Sequence, residues 1–311
     1  MRNAFVEEIT RVSKKDKKIV ILAGDIGYKL YDDFKLKFAD RFYNCGVAEA
    51  NMTTVAAGLA LKGFKPITYT IATFNVYKTV EQIKVDIAYP NLPVIIVGVG
   101  AGLSYSGLGS THHATEDIGV LRSIPNLNIV VPADANELKS LLKEIIKSKK
   151  PTYLRIGKTG EKKIYKNIPK TKVGKGNYLI KGKKVCIIGC GNILVNAYDS
   201  IKKLNSINIF PSLVSMHSIK PLDKILLKRI FKSYSHIVVL EEHSEIGGLA
   251  AAISEYYTDN KFNKNLFLKI NIGNQFVLKP GHQHQAFEKL NLNSKKIQQR
   301  IERFIKKWKF P

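Results

Sequence analysis

Short apolar runs bounded by turn residues recur along the chain, and the segments between them carry apolar positions at helical spacing. Over residues 1–156 the runs are "KIVILAG", "KPITYTI", "LPVIIVGVG", "LNIVVP" and "PTYLRIG". Alternation of such runs with helix-like segments predicts parallel strands, each reached through a crossover helix and buried on both faces. From residue 157 the periodicity lapses into "GKTGEKKIYKNIPKTKVGKGNY", rich in Gly, Pro and Lys, which reads as a linker. A second series follows, with "KVCIIGCG", "INIFPSLVSM" and "SHIVVLEE" as strands and an amphipathic basic helix, "SKKIQQRIERFIKKWK", at the end. The expectation is an α/β protein of two domains, each a mostly parallel sheet flanked by helices: residues 1–160, a linker over 161–178, and residues 179–311.

Composition narrows the class. A length of 311 residues, 45% of them hydrophobic, suits two globular domains. The N-terminal "MRNAFVEEITRVSKKDKK" lacks the apolar core and small-residue cleavage site of a secretory signal, and no run approaches the roughly 20 apolar residues that cross a bilayer. A cytoplasmic protein without membrane contact is expected. Cys45, Cys186 and Cys190 cannot all pair, and "CIIGC" lacks metal or redox spacing, so all three read as buried thiols. The net charge of +25 raises nucleic-acid binding, because neutralised phosphates release counterions. The lysine clusters at 14–18, 147–150 and 181–184 instead flank strands or end helices, and no arginine-rich stretch interleaved with aromatics occurs. What remains is a preference for anionic small molecules such as sugar phosphates. "IIGCGNI" lacks the third glycine and following acid of a dinucleotide loop and reads as a structural turn.

Four stretches carry candidate chemistry. In "NCGVAEANM", Glu49 stands among small and apolar residues where a loop enters a helix, and the apolar "TTVAAGLALKG" that follows puts it at a buried mouth. "TFNVYKTVEQIKVDIAYPNLPV" sets Phe74 and Tyr77 one helical turn apart. "GSTHHATEDIG" offers His112 and His113 in a glycine-bearing loop before a helix, and "GDIGYK" ends the first strand with Asp25 and Ile26. Loops at the carboxyl ends of parallel strands form the ligand crevice, so these residues can converge. Taken singly, the aromatics also suit a core and each histidine a helix cap.

Together and in order, these stretches resemble the thiamine diphosphate family, specifically the C-terminal half of transketolase found in two-chain versions. The matching residues are "GDIG", "DRFYNCGVAEANMTTVAAGLALKG", "TFNVYKTVEQIKVDIAYPNLPV", "THHATEDIGVLRSIPNLNIVVPAD" and "PTYLRIGK", then "SIKPLD" and "EEHSEIGG". The resemblance implies a pyrimidine-binding domain followed by a transketolase C-terminal domain, and transfer of a two-carbon ketol unit between sugar phosphates. Glu49 then resembles the glutamate that hydrogen-bonds N1′ of the cofactor's aminopyrimidine, a role that needs a protonated carboxyl, the form burial favours. Phe74 resembles the aromatic stacked on that ring and Tyr77 a second wall of its pocket. Asp25 and Ile26 resemble the pair beside the thiazolium, and His112 the histidine that contacts the donor's oxygens. Arg155 and Arg2 resemble arginines that bind a substrate phosphate.

The pattern departs from the family at four places. Gly100 stands where a histidine is usual, Leu108 where an aspartate is usual, Lys29 where a serine is usual and Ile71 where a further aromatic is common. The first two imply an altered donor or acceptor. "GDIG" at Gly24 is not the G-D-G motif that, with a later asparagine pair, holds Mg²⁺ and the diphosphate. The resemblance therefore implies that the Mg²⁺ ligands come from an N-terminal transketolase subunit, in a heterotetramer without which this chain is inactive. The related alternatives are a deoxyxylulose phosphate synthase-like enzyme and a 2-oxo acid dehydrogenase beta subunit; the non-enzymatic alternative is a catalytically silent partner subunit.

Overall fold

A computed structural model describes residues 1–158, 160–278 and 281–307. The first part of the chain runs α1 (Arg2–Ser13), β1 (Ile19–Ala23), α2 (Asp32–Lys37), β2 (Phe42–Asn44), α3 (Glu49–Leu61), β3 (Lys65–Ile71), α4 (Ala72–Tyr77), α5 (Val80–Gln82), a π-helical turn over Ile83–Ala88, β4 (Ile95–Val99), α6 (Asp117–Arg122), β5 (Asn128–Val130), α7 (Ala135–Lys147) and β6 (Thr152–Ile156). The second part runs β7 (Asn177–Ile180), β8 (Val185–Gly189), α8 (Leu194–Asn205), β9 (Ser212–Ser215), β10 (Ser218–Lys220), α9 (Lys224–Ser233), β11 (His236–Leu240), α10 (Leu249–Asp259), β12 (Leu266–Ile270), α11 (Gln283–Lys289) and α12 (Ser294–Lys307). The expected terminal helix is α12; Trp308 and Lys309, its predicted last residues, lie outside the described residues.

The strands form a seven-stranded sheet, β10-β5-β6-β4-β3-β1-β2, and a five-stranded sheet, β12-β11-β8-β9-β7. Each is parallel except for one antiparallel edge strand, β10 against β5 and β7 against β9. The apolar runs account for this arrangement: β1, β4, β6, β8 and β11 are buried at every position, as strands covered on both faces must be. Helix α7 shows the matching helical logic. The Asp134 carboxylate accepts from the Asn136 and Glu137 backbone N–H groups, while Leu138, Leu141, Leu142 and Ile145 face the core.

The edge strands β2, β7 and β12 fall outside the predicted runs, β7 beginning within the expected linker, and two further details differ from the expected pattern. "INIFPSLVSM" is a strand only over Ser212–Ser215, because Asn208 turns the chain at φ +60° before Pro211. "SIK", three residues further on, leaves the second sheet and becomes the edge strand β10 of the first. The two sheets are thus joined. One apolar cluster runs from Met52, Ile87 and Ile129 into Cys186, Val214 and Ile230. At the same joint the fully buried Glu137 carboxylate accepts from Ala133 N–H, Ser215 Oγ and Tyr165 Oη, with His217 Nδ1 3.1 Å away. Cys186 and Cys190 are buried as expected, whereas Cys45 is half-buried on the loop before α3. Among the described residues no helix is long and apolar enough to cross a membrane.

Candidate active site

Strands β6, β4, β3 and β1 lie side by side and end on one edge of the large sheet. Beyond their carboxyl ends come Lys158, the Gly100–His112 loop, Phe74 on α4 and Asp25, while Glu49 opens α3 just past β2. A doubly wound sheet places its ligand crevice at this edge. The loop is fixed at its base by reciprocal hydrogen bonds between Gly102 and Ala114, and by Gly100 N–H and Ala101 N–H donating to the Ile156 carbonyl.

Glu49 is 3% exposed despite its charge. Its methylene stem passes Gly24, where an added Cβ would stand in ordinary contact with Glu49 Cγ at 3.7 Å but press on Thr70 Oγ1 at 3.0 Å. Thr70 Oγ1 is itself buried without a hydrogen-bond partner among the described residues. On the open side, Lys78 Nζ donates to Glu49 Oε2 at 3.3 Å and lies 4.8 Å from the Phe74 ring centroid. The ring of Phe74 meets His112 edge-on at 5.2 Å. A carboxylate, an ammonium, a phenyl and an imidazole therefore form one continuous wall. The acid expected at a buried mouth is ion-paired there.

The two adjacent histidines have different surroundings. His113 is buried, its Nε2 3.3 Å from the Ser106 carbonyl and its own carbonyl accepting from Thr73 Oγ1; burial lowers its pKa and favours the neutral ring. His112 is half-exposed beside Phe74, with Thr111 Oγ1 3.0 Å from Nδ1. His113 thus braces the loop and His112 faces the crevice. Beyond His112 lies the Tyr105 ring, 6.4 Å between centroids, and Lys158 Nζ stands 4.6 Å from the Tyr105 centroid. Arg2 donates from Nε to the Lys158 carbonyl at 2.9 Å, and its charge opposes the burial that pushes the Tyr105 phenol up. Arg2 and Lys158 make this end of the crevice positive.

The remaining predicted residues have other surroundings. Arg155 is corrected: it is 2% exposed, with Nε donating to Asp117 Oδ2 at 2.7 Å and Nη2 to the carbonyls of Ala114 and Glu242. Burial opposes its charge, but the Asp117 carboxylate and Tyr153 hold it protonated. Nε and Nη2 of the guanidinium are thus committed to the protein itself. The Tyr77 hydroxyl donates to Glu116 Oε2 at 2.8 Å; burial and the nearby Asp117 and Glu116 carboxylates push its pKa up. Asp25 is exposed and clipped to Asn44, whose Nδ2 donates to Asp25 Oδ1 and whose Oδ1 accepts from the Asp25 and Gly46 N–H groups. This clip ties the β1 loop to the segment leading to Glu49. Asp25, Ile26, Lys29 and Asn44 line a cleft of about 370 Å³. Leu108 is 56% exposed on the rim.

Sequence reasoning passed over Lys78, Thr70, Tyr105 and Lys158. Two had a legible signal. Lys78 follows Phe74 by four residues on one helical face, and Lys158 is the first cation past the end of β6, whereas Arg155 is inside it. Among the described residues no group of three or more His, Cys, Asp or Glu side chains is placed to hold a metal ion.

Comparison with known proteins gives two family matches in order: "Transketolase, pyrimidine binding domain" over residues 1–160 and "Transketolase, C-terminal domain" over residues 174–297. The chain is 33% identical over 308 residues to one subunit of an apulose-4-phosphate transketolase from Phocaeicola vulgatus, covering 98% of this chain and 97% of that one. It is 33% identical over 310 residues to a putative transketolase C-terminal section of Methanocaldococcus jannaschii, covering 99% and 96%. Among solved structures, one described as a split gene transketolase, inactive β4 tetramer, superposes with a TM-score of 0.87 at 29% identity, over 98% of this chain and 97% of that one.

Proposed function

We propose a function for a chain that belongs to the transketolase family, in which it corresponds to the pyrimidine-binding and C-terminal domains. It is one half of a transferase that moves a two-carbon ketol unit between sugar phosphates. The other half is an N-terminal subunit that holds Mg²⁺ and the diphosphate of thiamine diphosphate, and the two chains pair as a heterotetramer. The cofactor, when bound, supplies the nucleophilic carbon that protein side chains lack.

The observation that carries this reading is Glu49 itself, a buried carboxyl with Gly24 beneath it, the unpartnered Thr70 hydroxyl beside it and Phe74 next to its open side. A flat heteroaromatic ring with a nitrogen acceptor would fit that set, with Phe74 to stack against it and a protonated Glu49 carboxyl to hydrogen-bond its nitrogen. Burial excludes water from that hydrogen bond and strengthens it. For this contact to form, the Lys78 ammonium must leave Glu49 Oε2. His112, free on the crevice side, is placed to hydrogen-bond the oxygen of a substrate carbonyl and so orient the carbon to be attacked. Arg2 and Lys158, in place of Arg155, attract the phosphate end of the sugar. Ile26 gives apolar support beside the Asp25–Asn44 clip.

The need for a partner is supported by α3. Its buried face carries Met52, Ala56, Ala57 and Ala60, yet its other face is also apolar, leaving Val55 and Leu61 exposed. Val47, Val85 and Tyr89 extend this surface, with Thr54 Oγ1 donating to Asp86 Oδ2 to hold the π-helical turn beside α3. A helix apolar on all sides is one that a further surface covers. The solved relative's description as an inactive β4 tetramer is consistent with C-terminal halves that assemble without their catalytic partner.

The test is to co-produce the chain with the N-terminal subunit and follow ketol transfer over a panel of ketose and aldose phosphates. Transfer that needs thiamine diphosphate, Mg²⁺ and both chains is the expected result. Activity with pyruvate alone as donor, or oxidation of 2-oxo acids with a lipoyl carrier, overturns it.

A further inference from the structure

Gly100 sits at φ +83°, and a Cβ built there would stand 2.1 Å from Cδ2 and Cε2 of Tyr105. The Tyr105 ring therefore fills the side-chain space that Gly100 leaves vacant, at the end of β4 and beside His112. The loop makes this a held position. Tyr105 O accepts from the Leu108 N–H, and Leu103 N–H is fixed by Glu242 Oε1 at 2.7 Å. Lys158 lies over the ring and adds a cation–π contact. Its hydroxyl has no hydrogen-bond partner among the described residues, and because burial pushes the phenol's pKa up, it stays a neutral donor at ordinary pH. A carbonyl engaged by His112 would place the next carbon of the same molecule on Tyr105, with the phosphate beyond it at Lys158 and Arg2.

We propose that Tyr105 is a specificity-determining residue of this site, its ring supporting the sugar chain and its hydroxyl hydrogen-bonding the substrate hydroxyl on the carbon next to the carbonyl. The inference rests on the sugar phosphate reading above. It commits the site to substrates that carry that hydroxyl and a phosphate at the far end.

The experiment measures equilibrium binding, so it does not depend on turnover. Ribose 5-phosphate and 2-deoxyribose 5-phosphate are titrated by calorimetry into the cofactor-loaded two-chain assembly, as wild type, Tyr105→Phe and Tyr105→Leu. Loading is checked by thiamine diphosphate content. One net hydrogen bond predicts that the wild type binds the ribose compound about 2–10-fold more tightly. Tyr105→Phe should bring the two to near equality, and Tyr105→Leu should also weaken both severalfold by losing the ring. A Tyr105→Phe assembly that keeps the wild-type ratio, or a wild type that binds neither probe, overturns the proposal. Binding of both probes with the expected ratios but no ketol transfer overturns the proposed function and leaves the role of Tyr105 standing.

Discussion

Lys78 Nζ lies 3.3 Å from Glu49 Oε2, an ion pair between a half-exposed ammonium and a carboxylate that is 3% exposed. The pair closes the mouth in which the coenzyme's aminopyrimidine is proposed to bind, so Lys78 and the coenzyme compete for one oxygen.

Removing that competitor separates two effects. Lys78→Met should cost the chain about 1 kcal/mol or less in urea unfolding, because one partner is in water. In the two-chain assembly the same variant should tighten thiamine diphosphate binding several-fold. Weaker binding would mean that Lys78 helps hold the coenzyme.

Glu49→Gln tests the acid. The amide keeps the shape and a hydrogen bond but cannot exchange a proton, so exchange of the coenzyme's thiazolium C2 proton should fall by about 10²–10⁴-fold. Coenzyme affinity should change far less. Exchange followed by NMR in deuterated buffer reads this directly, and an unchanged rate would remove Glu49 from the mechanism.

Arg155 and Lys158 predict opposite outcomes. Arg155→Met leaves Asp117 buried without its cation and should cost about 3–5 kcal/mol of stability. Lys158→Ala, on a half-buried loop, should stay within about 0.5 kcal/mol of wild type and instead raise KM for sugar phosphates with kcat nearly kept. Thermal unfolding and steady-state kinetics on both variants distinguish the structural arginine from the binding lysine.

Glu242 supplies a pH dependence. Burial pushes its carboxyl up to about 7, against the opposing hydrogen bond from Leu103 N–H. Since the unfolded chain ionises at lower pH than the folded one, this group lowers stability as pH rises from the ordinary carboxyl range to about 7, and its effect is then constant. Glu242→Gln should therefore match wild type near pH 5 and be more stable at pH 8, by thermal midpoint. An equal difference at both pH values would show that ionisation of Glu242 is not the cause.

How much was legible depended on the range of the interaction involved. The parallel sheets followed from apolar runs, because a strand covered on both faces must be apolar throughout. Glu49, Phe74 and His112 could be singled out because each lies just past a strand or at a helix start, where the fold directs side chains into the crevice. Arg155 could not be assigned from sequence: it is on β6, and which face it joins is set by Asp117, 38 residues away. The partner of the Tyr77 hydroxyl, Glu116, is likewise 39 residues on.

The sequence by itself determined the α/β class, the inner strands of both sheets, and the edge of the first sheet where a ligand crevice is expected, since these depend on local periodicity and chain direction. Tertiary structure decided that β10 leaves its own sheet for the other, that Lys78 reaches Glu49, and that Tyr105 fills the space above Gly100. Each of these depends on which atoms are excluded from or admitted to one small volume, and a linear order of residues does not specify how such volumes are shared.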